Sequence, residues 1–176
     1  MDRQPALIAQ ASILTPLGVV TVRCSAEGVS SLVLNEDATG LSLPSSLLAK
    51  TAAVEVSEFF QKTRTSFSVP TDLAGSELER LVWAKLQSIP YGETVSYKEF
   101  ATSCGKPTSV RSIASAVGRN PVPMIIPCHR VIRSSGSHGL FSLGPSVKRY
   151  LLETERTTVV GARLQASPPG SPNSAF

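Results

Sequence analysis

Apolar and β-branched residues concentrate in three short runs near the start of the chain, 6–14, 19–24 and 29–34, separated by Pro16-Leu17-Gly18 and by Glu27-Gly28. Runs of this length, bounded by turn residues, predict three strands with tight connections. Over 46–62 the spacing changes: Leu48, Ala52, Val56, Phe59 and Phe60 recur at roughly helical intervals, which predicts a helix with one buried face. Val69-Pro70-Thr71-Asp72 then reads as a linker.

The second half reads as mostly helical. Ser76 with Glu79 three residues on suggests a capping box for a helix through Gln87, with Leu78, Leu81, Val82, Ala84 and Leu86 as its apolar positions and Trp83 as a packing residue. Ile89-Pro90-Tyr91-Gly92 ends it. Ser96 caps a short helix over 97–103, Gly105-Lys106-Pro107 turns the chain, and 108–117 forms a further amphipathic helix carrying Arg111. Two short helices across a Gly-containing turn make a helix-turn-helix pattern, whose second helix is the one offered to a DNA groove. Residues 145–155 predict a last helix with Val147, Tyr150, Leu151 and Leu152 facing inward. The stretch 166–176, dominated by Pro, Ser and Gly, predicts a disordered tail. No internal repeat is visible. The expected architecture is α+β: a sheet-and-helix domain over 1–73, a mostly helical domain over 74–165, then the tail.

Composition adds bounds. The chain has 176 residues, 41% hydrophobic and 17% charged, which suits a globular protein. No apolar run reaches the ~18 residues that span a bilayer, so no membrane association is expected. The opening Met1-Asp2-Arg3-Gln4-Pro5 lacks the basic-then-apolar order of a secretory signal. Cys24, Cys104 and Cys128 are odd in number and widely spaced, which suits neither a disulfide framework nor a zinc knuckle. Reduced thiols in an intracellular compartment, nucleus or cytoplasm according to the cell type, are the expectation.

Charge is uneven. Residues 1–76 carry five Lys/Arg against seven Asp/Glu, whereas 77–156 carry eleven against six. Within 97–133, Lys98, Lys106, Arg111, Arg119, Arg130 and Arg133 face one acid, Glu99. Such a stretch is either the footprint of a phosphate-backbone binder or a solvated basic face without a ligand.

Residues 120–132 form an apolar run interrupted at its centre by Cys128-His129-Arg130. Core segments seldom hold His and Arg without partners. A cation beside a thiol raises its thiolate fraction, and thiolate is the form that attacks carbon. Consecutive side chains diverge on a strand or a helix, so His129 needs a turn or a bridging water to reach Cys128. Glu153 and Glu155 are the nearest downstream acids to orient the imidazole. Two readings stand on these residues alone: an activated nucleophile, and a buried cysteine beside a satisfied core histidine.

Asn120-Pro121-Val122-Pro123 followed by Ile126-Pro127-Cys128-His129-Arg130-Val131 closely resembles the active-site signature of the O6-alkylguanine-DNA alkyltransferases. The match extends upstream through Val82-Trp83, Ile89-Pro90-Tyr91-Gly92-Glu93-Thr94, Ser96-Tyr97 and Arg111, and downstream to Ser142, Lys148 and Glu155. It covers 76–156 strongly and the first segment loosely. The resemblance implies a ribonuclease-H-like first domain and a winged-helix-like second one. It implies direct-reversal DNA repair, with O6-alkylguanine (and O4-alkylthymine as a further substrate) flipped from duplex DNA and its alkyl group moved irreversibly to Cys128. His129 would be a water-mediated base oriented by Glu155, and Asn120 would hold the turn before the active-site segment. Tyr97 would hydrogen-bond the extruded base and help protonate guanine. Arg111 would fill the gap in the duplex, with Thr108, Ser109, Ser112, Arg119 and Arg130 as further DNA contacts. Val131, Phe141, Ser142, Leu143 and Lys148 would form the base pocket. No cofactor and no metal are implied, and the protein would act as a monomer on double-stranded DNA.

Three departures bear on these expectations. Several members bind zinc in the first domain; here Cys24 is the sole thiol before residue 104, and the histidines are His129 and His138, so no zinc site is expected. Mammalian members have tyrosine and glycine where this chain has Phe141 and Leu143, which predicts a narrower pocket against bulky inhibitors such as benzylated guanine. Gly118-Arg119 precedes Asn120, which displaces the cation beside the recognition helix. His138, among Ser and Gly, is expected to be exposed, and Cys104 to be a small packing residue. Two rival functions remain. A non-catalytic lesion sensor of the same fold would lack the active cysteine, so Cys128 argues against it. A Cys-His hydrolase needs an oxyanion hole and leaves Arg111 and the basic helix pair unexplained.

Overall fold

The computed structural model describes residues 5–35, 42–105, 109–139 and 141–166. Strands β1 (Ala9–Thr15), β2 (Gly18–Cys24) and β3 (Val29–Asn35) form an antiparallel sheet in that order. Gly18 closes the β1–β2 hairpin at φ 117° and is paired with Thr15. The register sets Ala9 opposite Cys24 and Ala11 opposite Val22, so small residues share the buried face with β-branched ones. Helix α1 (Leu47–Phe60) lies on this face, capped by Ser46 through the Ala49 amide, and buries Ala49, Ala52, Ala53, Val56 and Phe59. Its alanines allow close approach to the sheet.

The expected linker is not free. Thr71 bridges to Val29, and Val29 and Asp72 exchange backbone hydrogen bonds with Pro70 and Val29, so residues 70–72 run along the edge of β3. Gly28 permits this, because a Cβ there would meet the Asp72 nitrogen and the Thr71 carbonyl carbon at 2.7 Å.

Helix α2 (Glu77–Leu86) begins at the expected Ser76–Glu79 capping box and buries Val82, Trp83 and Leu86. The Trp83 indole donates to the Ala116 carbonyl at 2.9 Å, which ties α2 to helix α4 (Val110–Gly118). Between them, β4 (Val95–Ser96) leads into α3 (Tyr97–Ser103), which opens on a second capping box, Ser96 with Glu99. Helix α4 starts two residues later than expected, with Ser109 as its cap; Thr108 lies outside the described residues. After a 3-10 turn at Cys128–Arg130, β5 (Val131–Ile132) pairs in parallel with β4.

Helix α5 runs over Pro145–Ala166, well past the expected end at residue 155. The rest of the expected tail lies outside the described residues. No helix among the described residues is long and apolar enough to cross a membrane.

Candidate functional site

The site is built where the apolar run 120–132 folds back on itself. Asn120, at the end of α4 and 4% exposed, accepts from the Val122 amide on Oδ1 and donates through Nδ2 to the Ile126 carbonyl at 2.8 Å. The turn closes with the Ile126 amide on the Val122 carbonyl and with Met124 at φ 74°. From outside, the Leu32 amide of β3 donates to the Pro121 carbonyl at 2.9 Å, so the first sheet props the same turn.

Asn120 Nδ2 also donates to Cys128 Sγ at 3.0 Å. The thiol is 3% exposed. Burial pushes it up to about 11, against the downward pull of Asn120 and of the Lys148 ammonium. The expectation that flanking His and Arg would favour thiolate is therefore corrected: the resting group is a thiol. The reason is directional, because the 3-10 turn commits both neighbours to Glu155.

His129 Nε2 lies 2.7 Å from Glu155 Oε1, with both side chains buried. Glu155 also takes Arg130 Nε on both oxygens and Arg130 Nη2, and accepts from the Gly92 amide at 2.8 Å. Gly92 stands at φ 80° and a Cβ there would strike Val159 Cγ2 at 2.6 Å, so only glycine brings its amide this close to α5. Burial resists the Glu155 charge, but His129 and Arg130 together hold its carboxyl below the ordinary value. Burial lowers His129, so its imidazole rests neutral although Glu155 opposes this. The other nitrogen, Nδ1, is buried with no hydrogen-bond partner among the described residues.

Arg130 was expected to contact DNA. It is 6% exposed and bound to Glu155 and, through Nη1, to the Ile89 carbonyl at 2.6 Å, with its guanidinium over the Tyr91 ring. That expectation is corrected: Arg130 is a buried counter-ion.

Lys148, fully buried on α5, donates to the Val131 carbonyl at 2.6 Å and faces the Tyr97 ring at 5.9 Å. Burial brings it down to about 8. Tyr97 is raised, chiefly by burial and then by Cys128, while Arg133 opposes the shift. The β4–β5 pair, with Val95 opposite Val131, fastens the start of α3 to the active-site segment and so delivers Tyr97.

Tyr97 lines an open groove of about 790 Å³ together with one face of α4 (Val110, Arg111, Ala114, Ser115 and Gly118), Arg133, Gly139, Phe141 and Ser142. Phe141 sets its ring edge-to-face against His129, 6.3 Å between centroids. Leu143, expected beside it, is half-buried and packs against the core as Phe141 also does, but it does not line this groove; Leu140 lies outside the described residues. Ser109 and Ser112 join hydroxyls at 2.9 Å at the start of α4. Arg119 is exposed but ion-paired with Glu79. His138, expected to be exposed, is half-buried in a second cavity beside Glu153 and Glu155. Arg133 and Gly139 are groove residues that no motif had marked. The only signal for Arg133 was its place in the basic stretch 97–133, which did not single it out, and Gly139 carried none.

The family model described as 6-O-methylguanine DNA methyltransferase, DNA binding domain, matches residues 77–157. The methylated-DNA–protein-cysteine methyltransferase of Methanosarcina barkeri is 32% identical over 152 residues, 84% of this chain and 96% of that protein. The inducible enzyme of the same name from Bacillus subtilis is 40% identical over 104 residues, 59% of this chain; the chain spans 58% of that relative's length. Among solved structures, Mycobacterium tuberculosis OGT in complex with DNA superposes with a TM-score of 0.75 at 34% identity, covering 85% of this chain and 93% of that one.

Proposed function

Since the chain belongs to the methylated-DNA–protein-cysteine methyltransferase family, we propose that it repairs O6-alkylguanine in duplex DNA by moving the alkyl group to Cys128, once per molecule. The observation that carries this reading is the buried Cys128 thiol held by Asn120, beside a His129 that is braced by Glu155 and open at Nδ1.

The thiol must lose its proton to react. His129, kept neutral by burial, takes that proton through a bridging water, and Glu155 stabilises the imidazolium. The Sγ–carbon bond forms as the carbon–O6 bond breaks, and the electron pair goes to the purine. The Tyr97 hydroxyl supplies the proton that lets guanine leave neutral. The thioether is a poor leaving group, so the protein is consumed.

A stacked base cannot reach a buried thiol, so the nucleotide is extruded at a cost of a few kcal/mol. The groove beside α4 has room for it, and exposed Arg111 on its wall fills the duplex gap. In this reading α3 and α4 are the helix-turn-helix of a winged-helix-like domain, with Ser109, Ser112 and Arg119 near the backbone. Residues up to about 73 are a ribonuclease-H-like support, O4-alkylthymine is a second substrate, and the protein binds DNA as a monomer. Phe141 and Ser142 border the base, while Val131 and Lys148 back the pocket.

Intact mass after incubation with a methylguanine-containing duplex tests this. One added methyl on Cys128, stoichiometric and absent in Cys128→Ala, is expected. Repeated turnover or an unmodified protein would overturn it.

A further inference from the structure

The groove holds a cation that the reaction as described leaves without a task. Arg133 follows β5, and its backbone closes a turn with Gly136 and Ser137, at 2.9 and 3.0 Å. Its side chain returns across Gly139. A Cβ on Gly139 would lie 3.5 Å from Arg133 Nε and 3.8 Å from Tyr97 Cε2. Gly139, at φ 70°, thus lies between guanidinium and phenol ring, within ordinary contact distance of both. Among the described residues, Arg133 has no acidic partner, unlike Arg64, Arg119 and Arg130.

The other charges around Tyr97 are placed differently. On its own helix Lys98 and Glu99 are exposed, and Glu99 turns back to the Ser96 amide. Lys148 faces the ring, but it is bound to the Val131 carbonyl and, at about 8, loses its charge as pH rises just above neutrality. Cys128 disfavours a phenolate as soon as it becomes thiolate. Arg111 stands on the α4 wall of the same groove. Arginine keeps its charge throughout the working range.

We propose that Arg133 is a positioning residue for proton donation, its unpaired guanidinium favouring release of the Tyr97 hydroxyl proton to the departing guanine. The inference rests on the reading of Tyr97 as the proton donor. In the step, Sγ–carbon forms, carbon–O6 breaks, the phenol proton moves to the purine, and the phenolate left behind faces Arg133. The thiol proton stays on His129, so charge balances within the site. An extruded base covers the groove and strengthens the attraction by excluding water.

A phosphate contact is the competing role for such a cation, and the choice of substrate separates the two. The free base O6-methylguanine carries no phosphate. The alkylation rate of the full chain would be followed by intact mass with free base and with duplex, for wild type, Arg133→Gln, Arg133→Lys and Tyr97→Phe. Tyr97 titration would be followed by NMR of ring-labelled tyrosine, with Tyr97→Phe giving the assignment. Arg133→Gln is expected to slow both substrates by a similar factor, roughly three- to tenfold, a part of what a general acid contributes. It should also move the Tyr97 titration to higher pH, and Arg133→Lys should restore most of both. Slowing with duplex alone and an unmoved titration would overturn the inference in favour of a phosphate contact. If Tyr97→Phe reacts as fast as wild type, the proton-donor reading itself falls, whatever Arg133→Gln does to the titration.

Discussion

Cys128 and Lys148 share one buried space, and their proton equilibria pull stability in opposite directions as pH rises. The folded value for Cys128, about 11, lies above its unfolded value. Its burial therefore contributes fully below about 8.5, and the contribution is lost as pH climbs through the folded value. For Lys148 the folded value, about 8, lies below the unfolded one. Its burial is a penalty below that value, relieved as pH approaches about 10.4. In wild type the two partly offset each other. In Cys128→Ala only the lysine remains, so the variant should gain on wild type between pH 9 and 11 by about 2–3 kcal/mol. Urea unfolding at stepped pH measures this, and parallel profiles would contradict a thiol raised by burial. Sequence alone pointed the other way, because chain neighbours were taken as electrostatic neighbours. His129 and Arg130 adjoin Cys128 in the chain, yet both turn to Glu155.

Helix starts were legible because caps are local. The box Ser76–Glu79 and the cap Ser96 appear in the structure as the sequence suggests, and Glu99 completes a second box at Ser96. The second has a functional consequence, since Tyr97 is the first residue after the cap. Ser96→Ala should cost about 1 kcal/mol and, by loosening the first turn of α3, also slow alkyl transfer. Chemical denaturation and the single-turnover rate read the two effects. Loss of stability with an unchanged rate would show that β4–β5 alone places Tyr97. The far end of α5 was not legible. Its apolar repeat weakens after Leu152, and the turns beyond are held by contacts remote in sequence, such as Val159 over Gly92 and Thr157 within reach of Lys62. The edge pairing of 70–72 escaped notice for a similar reason: a proline-containing segment reads as a linker until a glycine elsewhere, Gly28, admits it.

Across the molecule, the net charge of +4 understates how selectively the cations are used. Arg130 is consumed inside, Arg119 is held by Glu79, and Arg111 and Arg133 stand unpaired at the groove among the described residues. Releasing Arg119 should add a phosphate contact. Glu79→Gln is expected to tighten binding to undamaged duplex and to steepen the log–log salt dependence by about one. Fluorescence anisotropy across a salt series checks this, and an unchanged slope would show that Arg119 does not reach the backbone. At this scale too, the first sheet is more than a neighbour, because the Leu32 amide braces the turn that aims Cys128.

Periodicity, turn residues and caps, all set by interactions within a few residues, were enough to determine the main helices and the α+β class, while the family followed from the resemblance carried by the motifs of residues 76–156. Within that resemblance the Pro127-Cys128-His129-Arg130 signature marked Cys128 as the proposed alkyl acceptor. Tertiary structure decided what those residues meet. It made the thiol neutral, turned Arg130 inward, and brought Arg133 across Gly139 to Tyr97. Burial and charge pairing depend on groups dozens of residues apart, and a linear pattern carries no record of which of them share a space.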